Sequence, residues 1–362
     1  AAPVPAQRAL AQRVQHLYDG HPIRLVLTGG VRALLFGAHS FTALGLLARD
    51  ILECGPFRVR SWKLAYQFLA ATKLARILQN EHCSHLHVHF ADTPGQIAMY
   101  ASALSGVPFT IMAHANDIFD DGLLLQRKAE RAARLLTISE YNRHYLQSLG
   151  IPADRLAVVR CGVSFTSRSV ARQRAPGQPF RVGSLGRMVE KKGFDVLLRA
   201  VASLKRSGHN IELSLAGDGP LMGMLQKLAQ DLGIAREVHF EGSLSHDKVA
   251  RWMQTLDAFA LACKPDVNGD MDGIPVVLME AMSQTIPVIS TRLSGIPELI
   301  SHGQTGLLAE PGNPDDLARQ VERLLVEPDL HTKLTHNALE HVTREFGQAV
   351  NIDRLLTNFA SY

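Results

Sequence analysis

Short apolar, β-rich runs alternate with amphipathic helical stretches along most of the 362 residues, and this alternation limits the fold more than any other feature. Such a chain forms parallel sheets with crossover helices, because parallel strands cannot be joined by tight turns. In the first half, strands are expected at 85–90, 109–114, 134–139 and 156–161, with helices at 96–106, introduced by Pro94-Gly95, and at 120–133. The first 80 residues read as mostly helical, with an alternative strand at 23–28 followed by Gly29-Gly30 in the manner of a phosphate loop. A polar, Arg-rich stretch at 164–179 has linker composition. Beyond it, strands are expected at 181–184, 212–216, 238–241, 258–262 and 287–291. Helices at 194–205, 221–232, 245–255 and 276–283 separate them, and the apolar run 306–309 with helices 314–326 and 330–346 closes the series.

A chain of this length, 46% hydrophobic and 20% charged, is too apolar to be disordered and long enough for two domains. The four cysteines, Cys54, Cys83, Cys161 and Cys263, are widely separated without a C-x-x-C pair, so a reducing, cytoplasmic setting is expected. The most apolar region, 31–48, contains Arg32 and His39 and does not read as a transmembrane helix. Charge is unevenly spread: residues 1–180 hold 20 Lys and Arg against 11 Asp and Glu, while 181–362 hold 18 against 23. A basic half suits a phosphorylated substrate or an anionic membrane face, and equally suits plain solvated arginines. Nucleic acid is not expected, given the absence of zinc-finger spacing and only 6% aromatic residues. The chain opens Ala-Ala-Pro, and a missing or trimmed N-terminus is expected.

The strongest local pattern runs from Gly183 through Gly186, Arg187, Glu190, Lys191 and Lys192 to Gly193 and Phe194. Glycines, free N–H groups and cations meet where a strand gives way to a helix, which suits a diphosphate; a glycine turn with solvated lysines is the plainer alternative. It is neither G-x-G-x-x-G nor a Walker loop. A second pattern, Asp272-Gly273-Ile274-Pro275 and then Val276 and Glu280, sets two carboxylates about a helix start. Carboxylates suit vicinal sugar hydroxyls, although Glu280 as a solvated side chain is an equal alternative. Counted from Asn268 as a calcium loop, position twelve falls on Met279, so that reading fails. In the first half, His87, His89 and Asp92 close one strand, and His114, followed by Asn116 and Asp117, stands at the end of another. Histidines there serve as ligands, proton donors or hydrogen-bond donors; no zinc spacing is present, and His87 reads as a core residue.

In order and spacing these segments resemble GT-B fold retaining glycosyltransferases of family 4, and within it enzymes of colanic acid and exopolysaccharide biosynthesis. The likeness covers about 84–346 and is sharpest in GRMVEKKG, LAGDGPL, NGDMDGIPVVLMEAM, PVISTRLSGIPELI and GQTGLLAEPGNP. It implies an α/β protein of two Rossmann-like doubly wound domains facing a cleft. Residues 1–163 would be the acceptor-side domain, with helix 346–362 returning to it, and 164–345 the nucleotide-sugar donor domain. The family's opening strand and glycine loop find no counterpart before Ser84, so the first domain is expected to lack its first strand and helix.

Position by position, the resemblance implies that Arg187 and Lys192 hold the donor diphosphate beside Gly186, and that Glu280 grips the ribose. Asp272, with the amides of Gly273, Ile274, Pro275 and Val276, would hold the donor sugar, and loops at Gly217 and Gly242 would frame the base. His114 matches the histidine near the donor sugar, and His89, Asp92 and Asp117 fall on the acceptor side. His114, Asp272, Arg187 and Lys192 are thus the catalytic candidates. Asp272 stands where the family usually has Glu, a retraction of roughly 1.5 Å, and Ser164 stands where it usually has Asp; the first departure bears on sugar specificity.

The activity implied is retaining transfer of a hexose from a nucleoside diphosphate sugar, UDP favoured, with no cofactor and no metal. The departing phosphate would assist the acceptor proton in a front-side reaction. The partners expected are a glycan or polyprenyl-linked acceptor and, peripherally, the anionic cytoplasmic membrane face. The rivals are an epimerase or phosphorylase of like architecture, and a non-catalytic or truncated nucleotide-sugar-binding subunit.

Overall fold

The computed structural model describes residues 11–18, 22–119, 122–164, 175 and 177–359. The chain divides into two compact units. One runs to Thr137 and takes in Tyr145–Ala157 and the chain from Thr357; the other takes in Ile138–His144 and Val158–Leu356. The last helix, Gln348–Phe359, therefore belongs to the second unit as far as Leu356, and only its end belongs to the first. Most of the expected linker lies outside the described residues.

The first unit holds a four-stranded sheet in the order β1 (Leu86–His89), β2 (Phe109–Ala113), β3 (Arg134–Thr137) and β4 (Leu156–Val158). β1, β2 and β3 pair in parallel. β2, Phe-Thr-Ile-Met-Ala, is buried at every position, as a central strand covered on both faces must be. The crossover from β1 to β2 is the helix Thr93–Ser105, started by Pro94 in its first turn and stopped by Gly106 in the left-handed conformation. Before β1 the described residues hold no strand; they form the helices Pro22–Leu34, Ala38–Cys54 and Val59–Asn80. The alternative strand at 23–28 is thereby corrected. Gly29 is no phosphate loop: it is buried where a Cβ would lie 2.9 Å from the Cβ of Leu69, so its missing side chain lets two helices approach.

The second unit holds six strands in the order β10-β9-β8-β5-β6-β7, paired in parallel throughout. These are β5 (Phe180–Leu185), β6 (Ile211–Ala216), β7 (Val238–Gly242), β8 (Ala258–Ala260), β9 (Val288–Thr291) and β10 (Leu307–Ala309). Helices Phe194–Arg206 and Pro314–Val326 bury Leu197, Val201, Leu317 and Val321 in one core with Val182, Leu213 and Ile289. Helices Val276–Ser283 and Pro328–Phe346 bury Leu278, Met282, Val342 and Phe346 in another with Phe259 and Val288. Successive strand residues point to opposite faces, so a sheet with a core on each side needs apolar residues at nearly every position. β8, Ala-Phe-Ala, and β10, Leu-Leu-Ala, accordingly carry no polar residue and are buried at every position. Both units are Rossmann-like α/β domains with parallel sheets.

Candidate functional site

In the second unit β5 has β6 on one side and β8 on the other, so the strand order reverses there and a crevice lies outside the carboxyl ends of β5 and β8. The loop after β5 reaches it through Gly186, Arg187 and Lys192. Gly193, at φ 66°, crosses so close to β8's continuation that an added Cβ would sit 1.7 Å from the Ala262 carbonyl oxygen. Gly217, at φ 121°, comes as close to Gly186: a Cβ there would lie 2.0 Å from the Gly186 oxygen. The Gly217 N–H donates to the Gly242 carbonyl at 2.8 Å, so the three expected glycine loops at the ends of β5, β6 and β7 do meet.

Three ion pairs join the loop and helix after β5 to the loop after β8. Lys192 Nζ lies 2.8 Å from Asp272 Oδ2, Lys191 Nζ 2.7 Å from Asp270 Oδ2, and Lys264 Nζ 2.9 Å from Asp195 Oδ2. Lys192 and Asp272, read separately as diphosphate and sugar contacts, thus hold one another in a place where each side chain is less than a fifth exposed. The buried Cys263 thiol donates to the same Asp272 oxygen at 3.4 Å, and burial, then the Asp272 charge, pushes that thiol well above its ordinary range. Cys263 is a protonated donor and not a nucleophile. Arg187 is exposed and forms no ion pair with a described residue, which leaves its guanidinium available to an anion.

The helix Val276–Ser283 starts after Pro275, whose φ of −64° suits the turn, and no side chain caps its first N–H groups. Gly273, Ile274 and Pro275 are buried, and the Ile274 side chain packs on Gly295, so these residues shape the approach to the helix. Glu280 lies one turn in and lines a cavity of about 240 Å³ with His246, Val276, Gln284 and Ser164. Its carboxylate accepts no hydrogen bond from a described residue. Burial raises its pKa and the charge of His246 partly opposes this. Glu280 is half-buried, with its carboxylate open to that cavity.

In the first unit the ends of β1 and β2 bring the expected side chains together. The rings of His89 and His114 lie 6.0 Å apart and nearly parallel. Burial lowers the pKa of His114, with Asp117 opposing and His89 adding to the shift, so its ring is neutral at pH 7. Asp117 lines the cavity at the ends of β1 and β2 and also does a structural job. It is buried, with Oδ1 accepting the His114 N–H at 3.0 Å and Oδ2 accepting the Ala91 N–H, and so brackets the ends of both strands. Its backbone bonds oppose the rise in pKa that burial causes. Asp92 keeps Oδ1 buried without a partner. His87 shares Thr110 Oγ1 with His85, at 2.8 and 2.9 Å, and burial is the largest cause that pushes its pKa down to about 4.

Some residues of interest carry no local sequence signal. His246 reaches the Glu280 cavity from the start of the helix His246–Met253, 34 positions away in the chain. Phe90 follows β1 at φ 75° with half its surface exposed and its ring 4.9 Å from His114. A left-handed conformation costs a residue with a Cβ about 1–3 kcal/mol, and such strain gathers at functional sites.

The family model "Glycosyltransferase Family 4" matches residues 10–166, and the model "Glycosyl transferases group 1" matches 166–341. The chain is 36% identical over 231 residues to WcaL of Salmonella typhimurium, a candidate colanic acid biosynthesis glycosyltransferase. That match covers 62% of this chain and 56% of WcaL. It is 33% identical over 245 residues to the amylovoran biosynthesis glycosyltransferase AmsK of Erwinia amylovora, covering 66% of this chain and 60% of AmsK. The chain thus spans less than two thirds of the length of these relatives. Anabaena Alr3699/HepE, solved in complex with UDP, shares the fold at a TM-score of 0.69 and 18% identity, over 81% of this chain and 82% of HepE. One half of the chain thus matches a glycosyltransferase Family 4 domain and the other a glycosyl transferases group 1 domain, the two domains of the GT-B fold.

Proposed function

We propose that the chain transfers a hexose, with retained anomeric configuration and without a metal, from a nucleoside diphosphate sugar to a glycan or polyprenyl-linked acceptor in exopolysaccharide or cell-surface polysaccharide synthesis. The observation that carries this reading is the reversal of strand order at β5 and β8, with Arg187 in no ion pair to a described residue beside it and Glu280 half-buried without a donor in the same unit. Glu280 accepts hydrogen bonds from the ribose. Arg187, Lys192 and the uncapped helix Val276–Ser283 meet the diphosphate, whose charge grows as the glycosidic bond breaks. Those cations take the place a metal would otherwise fill. Asp272, freed from Lys192 by the phosphate, turns to the sugar hydroxyls. His114, neutral and near His89, hydrogen-bonds the donor sugar. UDP is favoured, in keeping with the UDP held by the like-folded HepE.

No described helix is long and apolar enough to cross a membrane. The exposed Leu52, Phe57, Val59 and Trp62 alternate with Arg58, Arg60 and Lys63, a mixture that suits peripheral contact with an anionic cytoplasmic membrane face. Co-sedimentation with anionic vesicles at low salt checks that contact, and its absence removes it. The activity is tested by incubating the chain and UDP-hexoses with a polyprenyl-linked acceptor in the presence of EDTA. The product's anomeric configuration is then read by NMR. Transfer with inversion, or transfer abolished by EDTA and restored by a metal, refutes the corresponding part.

A further inference from the structure

We infer that the outer face of the helix Pro22–Leu34 is the contact surface of a homodimer, laid antiparallel on the same helix of a second copy. This holds whether or not the chain transfers a sugar. The helix is apolar on two sides. On the inner side Gly29 lies against Leu69 of the helix Val59–Asn80, and Leu25 and Ala33 join the core of the first unit. On the outer side Ile23, Val26, Leu27, Gly30, Val31 and Leu34 recur at helical spacing, and all are exposed. A surface helix turns polar residues to water, and one that is apolar all round is ordinarily covered.

The area available fits a second copy. Exposure runs from 48% at Val26 to 76% at Leu34, and with the neighbouring Leu35 the large side chains of this face offer roughly 700 Å² of apolar surface. The largest patch on an ordinary monomer is about 300–600 Å². Two such faces together remove roughly 1,400 Å² from water, inside the range of about 1,200–2,000 Å² that stable interfaces bury. Gly30 favours another helix over a lipid surface. An added Cβ there meets nothing within 4 Å, so no contact inside the chain calls for a glycine, and glycine weakens a helix interior. Against fluid acyl chains the gap gains nothing; against a second helix it admits a large side chain. The same stripe supplies one. Paired antiparallel about a twofold axis through its middle, it sets Leu27 on Gly30 of the second copy, Val26 on Val31 and Ile23 on Leu34. Each residue then meets another member of the stripe, as an isologous interface requires. None of them is charged, so no like charges are brought together.

Sedimentation velocity of the full chain over a concentration series tests this, on wild type, Leu27→Glu, Gly30→Lys and an equal mixture of the two variants. Wild type is expected to sediment as a dimer with a dissociation constant of about 1 µM or below. Either substitution leaves a charge without a partner in an apolar contact and is expected to raise that constant at least about 100-fold. In the mixture, the carboxylate at position 27 of one copy faces the ammonium at position 30 of the other, and dimerisation is expected to recover at least about tenfold. Both positions are exposed, so each variant keeps the wild-type far-ultraviolet circular dichroism spectrum. A wild-type chain that stays monomeric at about 100 µM overturns the inference. So does a dimer that both variants leave intact, or a series of larger species, because a twofold interface closes at two copies. Loss of the dimer in both variants without recovery in the mixture overturns the antiparallel pairing. A monomer that floats with phosphatidylcholine–phosphatidylglycerol vesicles, and ceases to do so with Leu27→Glu, assigns the face to lipid and overturns the dimer as well.

Discussion

Replacing Glu280 by glutamine separates what the residue does for a ligand from what it does to the fold. The carboxylate is half-buried and accepts no hydrogen bond from a described residue, and burial raises its pKa. The folded state therefore binds that proton more tightly than the unfolded state does. The resulting stability is complete below the unfolded pKa and is lost as pH rises through the folded one. At pH 7 the ionised group is a net cost, so Glu280→Gln is expected to melt at or above the wild-type temperature. If the carboxylate holds two ribose hydroxyls, the amide keeps one as an acceptor and loses one charge-assisted bond, worth about 1.5–3 kcal/mol. The dissociation constant for UDP then rises by about ten- to 100-fold. Calorimetry with UDP, GDP and ADP, together with thermal melts, reads both quantities on the same samples. A variant that melts lower and binds UDP normally would refute the reasoning on both counts.

Further substitutions probe the crevice and the histidines. Lys192→Ala strands Asp272 beside the Cys263 thiol and should cost about 1–2 kcal/mol, between the exposed and buried limits for ion pairs; its UDP affinity should fall more than its uridine affinity, and equal losses would argue against a diphosphate role. Gly193→Ala drives a Cβ against the Ala262 carbonyl and should lose more than about 3 kcal/mol in urea denaturation, so near-wild-type stability would contradict the close approach. Asp117→Asn keeps an acceptor for only one of two backbone N–H groups, and loss of order at the ends of β1 and β2 is expected as faster amide exchange at Ala91 or His114. His87 is held neutral by burial, with a pKa pushed down to about 4, so its contribution to stability is present above pH 6.5 and fades as pH falls from 6.5 towards 4. His87→Asn should flatten the acid limb of a stability profile in that window, and an unchanged limb would place the titration elsewhere.

Local pattern went furthest where one residue's neighbours in the chain are also its neighbours in space. The helix Val276–Ser283 begins after Pro275 and ends as its spacing predicts, and the strand at β2 shows in a β-rich, mostly apolar run. The reading of 23–28 as a strand failed because a helix buried along one stripe and a strand share short apolar runs, and the packing of Gly29 on Leu69 decided between them. Asp50 lay in no motif, yet it is fully buried, takes a two-pronged bond from Arg131 and accepts the Tyr100 hydroxyl; 81 residues separate the first pair.

By itself the sequence determined the α/β class, the order of most strands and helices, and the loops that carry glycines and charge, because periodicity and backbone preference act over a few residues. The tertiary structure alone decided which of those charges meet. Lys192 and Asp272 lie 80 positions apart and become partners only because the strand order reverses between β5 and β8. Asp117 brackets two strand ends, and Glu280 acquired a cavity shared with His246 and, through burial, a raised pKa. Spacing along a chain says what a loop contains, whereas the burial and Coulomb energies that set each side chain's role depend on distances that only the packed sheet creates.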